Sequence, residues 1–290
     1  MLLSLDIPRA PAKHTCNDKK SLFQRLFVMM RIMKNLVITV SPDSSIDLLN
    51  AFADILVLDK QPILSTMPFY ETLYIRSHFG QPSTLPQVFR AQIEDIVRRA
   101  KQKNSAIRFI DNTYTVDKIL ATEDKWQQYE IFNSFMPKTK LLSNDLDISG
   151  FERPIFKNRL SSHGNGVTWN IEETTSPRED WLIQESLDII EELRIYVING
   201  NVYPIGAIRE SKTSDQSTQA VDSRSLTQDE IDFSLNVGQQ APDLDIIGLD
   251  ISRTPNGKLY LIEVNKSPGF GKFAELTGVN LASFLYGEKF

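Results

Sequence analysis

The residues that could do chemistry are densest between Gly248 and Gly269, GLDISRTPNGKLYLIEVNKSPG. Asn256-Gly257 separates two runs of strand-forming residues, which is the strongest short-range hairpin signal. A two-residue loop there, or a four-residue one that takes in Pro255 and Lys258, sets Asp250 directly opposite Glu263. Side chains alternate faces with a period of two, so Glu263 and Asn265 share a face and Asp250 joins them from across the pair. Carboxylates directly opposite each other repel unless one keeps its proton or a cation lies between them. An oxygen-only set, without His or Cys, suits Mg²⁺ or Mn²⁺ rather than Zn²⁺. The plain alternative is a solvated hairpin with its acids in water. Ile246, Ile247, Leu249, Leu261 and Ile262 favour a buried pair, and Ser267-Pro268-Gly269 ends the second strand abruptly.

Two more stretches carry charge at strand-like positions. Arg153-Pro154-Ile155-Phe156-Lys157 reads as a strand ending in a lysine, followed by the small-residue loop Asn158 to Gly166. The backbone N–H groups of such a loop can close over phosphate. Further on, Glu192 to Ile198 and Asn201 to Arg209 flank Asn199-Gly200, a second hairpin signal. A two-residue loop pairs Glu192 with Ala207 and puts Arg194 and Arg209 on one face. That acid and those arginines can bind a ribose and a transferring phosphoryl group, or neutralise one another.

Taken together, these motifs resemble the ATP-grasp superfamily, most closely the RimK-type carboxylate-amine ligases. The resemblance rests on Asp250, the run EVN-x-SPGF, the segment Thr277 to Ala282, and Asp124-Lys125 followed by Pro137-Lys138-Thr139. It covers roughly residues 112 to 282. It implies an ATP-grasp fold of the α/β (α+β) class: a small N-terminal α/β domain (33–115), a central lid domain (116–186) and a C-terminal antiparallel-sheet domain (187–290). It implies ATP and two Mg²⁺ or Mn²⁺ ions as cofactors, the ions held by Asp250, Glu263 and Asn265. Lys125 and Lys157 would lie on the phosphates, with Lys118 the alternative to Lys125, and Gly164 and Gly166 would form the lid. Gln184, Glu185 and Leu187 would read adenine largely through backbone, and Glu192 would hold the ribose. Arg209 and Lys157 would act on the transferring phosphoryl group. Arg76, Lys212 and Arg224 are candidates for substrate contact. The implied activity is amide formation between carboxylate and amine substrates, small molecules or peptides, through an acyl phosphate; family members often form homo-oligomers. Phosphoryl transfer to a hydroxyl, or nucleotide binding without turnover, are the other readings.

The elements that must position these residues follow from patterning. From Asn35, short apolar runs alternate with helical stretches, NLVITV, DILVLD and TLYIRS among the former, which predicts a small parallel α/β unit. Arg76 and His78 fall at the end of its third strand, where open α/β sheets bind ligands. One helix is predicted from Thr122 to Phe135, capped by Thr122, with Trp126, Tyr129, Phe132 and Phe135 as a packing stripe. Another is predicted from Leu226 to Gln240, and a closing helix from Leu281.

Composition bounds the rest. The 290 residues carry a net charge of −5, which gives no reason to expect nucleic acid or an anionic membrane as partner. One cysteine, Cys16, permits no internal disulfide and suits a reducing cytoplasm. No run reaches the roughly 18 apolar residues of a membrane span. Residues 1–32 read as a mobile or helical extension, not a secretion signal, because Gln24 and Arg25 interrupt the apolar run and no small-residue cleavage site follows.

Overall fold

The structure is a computed structural model that describes residues 34–289, apart from 41, 59–66, 77–85, 112–114, 144, 146–147, 162–165, 175–176 and 212–217. The expected extension at 1–32, and the residues His78, Gly164 and Lys212, lie outside the described residues.

Strands β1 (Asn35–Thr39), β2 (Asp54–Val57), β3 (Thr72–Arg76) and β4 (Arg108–Ile110) form a parallel sheet in the order β2-β1-β3-β4. A parallel sheet covered on both faces needs apolar side chains on both, and β1 supplies them without alternation. Leu36 and Ile38 pack with Ile93, Ile96, Val97 and Ala100 of α2 (Arg90–Lys103), while Val37 turns to the other layer. Those four helix residues recur at i, i+3, i+4 and i+7, the stripe of an amphipathic helix. Helix α1 (Ile46–Leu49) is shorter than its apolar run suggests.

The predicted helix from Thr122 is two. Thr115 caps α3 (Val116–Glu123), Asp124 leaves the helical region, and its carboxylate then caps α4 (Lys125–Phe132) by accepting from Trp126 N. Thr122 is interior, its hydroxyl donating to the Lys118 and Ile119 carbonyls. Next comes an antiparallel sheet in the order β5-β8-β6-β7, made of β5 (Thr139–Leu141), β6 (Pro154–Asn158), β7 (Val167–Thr168) and β8 (Trp181–Glu185). Its core is Leu142, Phe151, Phe156, Trp181 and Ile183.

The largest sheet runs β12-β11-β9-β13-β14, with β10 paired to β9. Its strands are β9 (Glu191–Ile198), β10 (Asn201–Val202), β11 (Ile205–Ser211), β12 (Thr218–Ser225), β13 (Ile246–Arg253) and β14 (Leu259–Asn265). One face packs Leu193, Ile195, Val197, Ile247, Leu249 and Leu261 against Phe132 of α4 and Val237 of α5 (Gln228–Gly238). On the other face, Tyr196, Ile198 and Ile246 join a core with Val37 and Tyr74 of the parallel sheet and with α6 (Gly271–Thr277) and α7 (Ala282–Leu285).

The face carrying α5 also carries a charge cluster. Glu230, fully buried, completes a capping box with Thr227 and accepts from Arg224 at 2.7 and 2.9 Å and from Arg253 at 2.8 Å. Burial alone would raise its pKa, but the two guanidiniums outweigh it and hold the carboxyl at about 2. Removing one partner of a buried charge cluster strands the others, so Glu230→Ala should cost about 3–5 kcal/mol in urea unfolding. Because the folded pKa lies below the ordinary 4.5, this contribution is present above that value and fades as the pH falls towards 2. Acid titrations of wild type and Glu230→Ala should therefore converge at the low end.

Candidate functional site

The Asp250–Glu263 rung exists, by a route the turn signal does not reveal. Pro255, Asn256 and Gly257 form a three-residue loop closed by Thr254 and Lys258, with Gly257 at φ +82°. Proline suits the first position of the type I turn in such loops, and glycine the left-handed position after it. This loop pairs Arg253 with Leu259 and Ile251 with Leu261, one residue out of the predicted register. A bulge at Ile262 then restores it, so that Asp250 faces Glu263 and Gly248 faces Asn265. The Asn265 amide donates to Asp250 Oδ2 at 3.3 Å.

The second hairpin also differs in register. Asn199-Gly200 does form a two-residue loop, pairing Asn201 with Ile198, but the chain slips by two residues around Tyr203-Pro204. Ala207 therefore faces Arg194, and Arg209, rather than Ala207, faces Glu192. A slip of two leaves every side chain on its predicted face.

Glu192, Arg194, Arg209, Asp250, Glu263 and Asn265 thus line one end of one sheet face. Asp250 is 5 % exposed and is the hub. Arg194 forks onto it, Nη2 to Oδ2 at 2.9 Å, and Arg209 Nη1 pairs with its Oδ1. Arg209 Nη1 is also 3.5 Å from Glu192 Oε1. Burial would push the Asp250 pKa up, yet the two arginines hold the carboxyl well below the usual range. Arg194 can cross the sheet here because residue 248 has no side chain: a Cβ there would come within 3.2 Å of Arg194 Cδ and 2.7 Å of Pro268 Cβ.

Lysines face this end from the smaller sheet and from α4. Lys125 Nζ lies 3.7 Å from Glu263 Oε1 and donates to the Ser161 carbonyl. The structure brings Lys125, not the exposed Lys118, to the cluster. Lys157 is paired with Leu182 and Val167. Burial lowers its pKa to about 8, with Lys125 adding to the drop and Glu263, Glu192 and Asp250 opposing it. Behind them, Arg159 forks onto Asp124, the cap of α4, and its carbonyl accepts from Lys125 N at 3.2 Å. Gly166, at φ +67°, closes the described part of the loop through its carbonyl to Asn158 N at 2.7 Å.

Gln184 and Glu185 both use their side chains on neighbouring protein groups, Gln184 buried and Glu185 half-buried. Gln184 Nε2 donates to Thr139 Oγ1 at 2.8 Å, and the Glu185 carboxylate accepts from Arg153 N at 2.8 Å and Glu152 N at 3.1 Å. Leu187 is half-buried in the connection to β9.

Two substrate candidates are placed elsewhere. Arg224 belongs to the opposite face, where Glu191 and Glu230 hold it, so it is corrected to a structural residue. Arg76, 1 % exposed, is neither a surface ion pair nor an open contact. Its Nη2 donates to Asp43 at 2.5 Å and to the Pro268 carbonyl at 2.8 Å, and its guanidinium lies 5.4 Å from the Phe270 ring centre. Lys266, also buried, donates to the Ile75 carbonyl at 3.0 Å. These bonds lash the segment after Asn265 to the end of β3, a tie that no sequence signal marked.

Among the described residues, no cluster of three or more His, Cys, Asp or Glu is arranged to hold a metal. The candidate donors are two carboxylates and a carboxamide, a hard-oxygen set whose chemistry fits Mg²⁺, with guanidiniums supplying the counter-charge to Asp250. An acidic rung rimmed by two lysines and two arginines can gather a polyphosphate and a divalent cation together.

Residues 147–286 match the family model described as RimK-like ATP-grasp domain. No curated protein matches the sequence. Among solved structures, the chain is similar to the ATP-grasp ligase PsnB complexed with minimal precursor, Mg and ADP, with a TM-score of 0.60 at 16% identity, covering 86% of this chain and 94% of that one. It is similar to a RiPP-associated ATP-grasp ligase of Chryseobacterium gregarium in complex with ADP and a leader and core peptide (TM-score 0.56, 16% identity, 88% and 95% covered). It is also similar to the D-alanine–D-alanine ligase of Bacillus anthracis (TM-score 0.56, 15% identity, 88% and 95% covered).

A lysine that titrates near pH 8 is largely neutral at pH 8.5, whereas an ordinary exposed lysine is not. Brief acetylation at pH 8.5, read by peptide mass spectrometry, should modify Lys157 ahead of Lys258 and Lys272.

Proposed function

From the ATP-grasp fold, with a RimK-like ATP-grasp domain over residues 147–286, we propose an ADP-forming carboxylate-amine ligase that makes an amide through an acyl phosphate. The observation that carries the reading is the Asp250–Glu263–Asn265 rung with Lys125, Lys157 and Arg209 facing one end of it. The domain division we adopt is an N-terminal α/β domain (33–115), a lid (116–186) and a C-terminal domain (187–290). ATP would lie between the last two, its adenine against the backbone of Gln184 to Leu187 and its ribose near Glu192.

Asp250, Glu263 and Asn265 would hold Mg²⁺, one ion or two, and bound there it would neutralise charge on the triphosphate. Lys125 and Lys157 bind and orient the phosphates, and Gly164 and Gly166 belong to the loop that covers them. A substrate carboxylate oxygen then attacks the γ-phosphorus and ADP leaves. Arg209 offsets charge on the transferring group. The amine next attacks the acyl carbon, phosphate leaves, and the amine's surplus proton passes to solvent. A closed lid keeps water from the acyl phosphate in between. The substrate class we propose is an amino acid or peptide; precursor and core peptides in two similar structures support the peptide form. No described helix is long and apolar enough to cross a membrane, and the proposed setting is the cytoplasm.

Two outcomes decide this reading. Purified protein with Mg²⁺ and ATP, screened against pooled amino acids, peptides and dicarboxylates, should release ADP only when a carboxylate and an amine are both present. The product mass should equal their sum less water; a stable phosphorylated acceptor without an amide would overturn the ligase in favour of a kinase. Asp250→Asn would strand two arginines, so Glu263→Gln is the better probe of the site. It should lower turnover at least about a hundredfold while leaving the circular dichroism spectrum and thermal midpoint nearly unchanged.

A further inference from the structure

Strand β14 carries Glu263 and Asn265 and is the last strand of its sheet, so that among the described residues no strand pairs with its outer edge. An open edge presents backbone N–H and C=O groups that need partners when buried. At Val264, between the two candidate ligands, a side chain takes the place of the missing strand. Gln128, 4 % exposed, accepts from Val264 N at 3.0 Å through Oε1 and donates to the Val264 carbonyl at 2.8 Å through Nε2. The same Nε2 donates to the Thr122 carbonyl at 3.1 Å, which fixes which end of the amide is which.

Gln128 lies three residues after Lys125 on α4, and residues so spaced share a helix face. Docking that face on Val264 therefore sets Lys125 beside Glu263, where its Nζ is found 3.7 Å away. A second tie, Leu261 N to the Phe135 carbonyl at 2.9 Å, holds the segment after α4 to the same edge. Four residues of helix and strand, Lys125, Gln128, Glu263 and Asn265, thus share one joint with a single amide at its centre.

We propose that Gln128 is the positioning residue of the nucleotide site: its amide clamps the Val264 peptide so that Lys125 and the Glu263–Asn265 ligand pair keep a common geometry for Mg²⁺–ATP. This rests on the reading of the site given above. A residue that orients ligands without touching the ion or substrate typically changes affinity by about 10–100-fold when altered.

The test is calorimetric titration of Mg²⁺–ATP into wild type and Gln128→Glu. The substitution keeps the acceptor but turns a carboxylate oxygen towards two carbonyls, so affinity should fall by about tenfold or more at pH 8. The introduced carboxyl has its neutral form favoured there, which raises its pKa. Lowering the pH to 6 should then restore a donor and bring the ratio of wild-type to variant affinity back towards one. Val97→Ala, in the core of the parallel sheet, serves as a control that loses stability and keeps wild-type affinity. An affinity ratio of one at both pH values, or a loss matched by Val97→Ala, overturns the proposal.

Binding linkage gives a second measurement that needs no variant. If the clamp favours Mg²⁺–ATP, then Mg²⁺–ATP must favour the clamp, and exchange of the wild-type Val264 amide should slow on nucleotide binding. Unchanged exchange at that amide overturns the assignment. Glu263→Gln separates the two readings: wild-type affinity there, with loss in Gln128→Glu, would fault the ligand set and leave the clamp on Lys125 standing.

Discussion

Everything at this end of the molecule depends on one buried carboxylate being answered by two guanidiniums. Asp250 sits in the second-to-last strand of the largest sheet, and its ion pairs with Arg194 and Arg209 tie three adjacent strands together on one face. Taking such charges out of water is costly unless their geometry and hydrogen bonding are good, which is why the fork from Arg194 and the missing side chain at Gly248 matter. The same sheet face becomes apolar within one or two residues, at Tyr196, Ile198 and Ile246, where it meets the N-terminal layer. Charge at one end and core at the other give the sheet a polarity along its strands, and the polar end is the one faced by Lys157 of the β5-β8-β6-β7 sheet and Lys125 of α4.

Much of this was legible in the sequence, because a period of two survives many errors. The hairpin signal at Asn256-Gly257 suggests the wrong loop, yet the bulge at Ile262 returns the acids to the predicted rung. The slip at Tyr203-Pro204 changes which residue faces Glu192 and leaves Arg194 and Arg209 on the expected face. Lys125 rather than Lys118 fits the spacing to Pro137, although the helix that carries it begins directly after a break at Asp124 that propensity does not show.

What was illegible depends on distant contacts. Arg76 reads as a ligand-facing residue because it ends a parallel strand; nothing local indicates that Asp43 and the Pro268 carbonyl enclose it. Arg224 reads as part of a polar loop because Glu230, its buried partner, lies in the next helix and resembles any first-turn acid. Gln128 has no signature at all, since its role exists only when the edge of β14 is beside it.

The bulge at Ile262 has a further consequence for how the chain reaches its native pairing. Between Asp250 and Glu263 the same span of residues fits two hairpins, one with a tight two-residue turn and no bulge, the other with the three-residue loop and the bulge observed. Both close on the same acidic rung. Only the intermediate form, the longer loop without its bulge, fails: it would face Ile262 towards Asp250 and send Glu263 into the apolar layer with Leu261. Such a form is penalised from Ile262 onwards, where every side chain of β14 changes face. The site is thereby protected during folding, because a chain that closes its turn either way still delivers its two carboxylates to the same place.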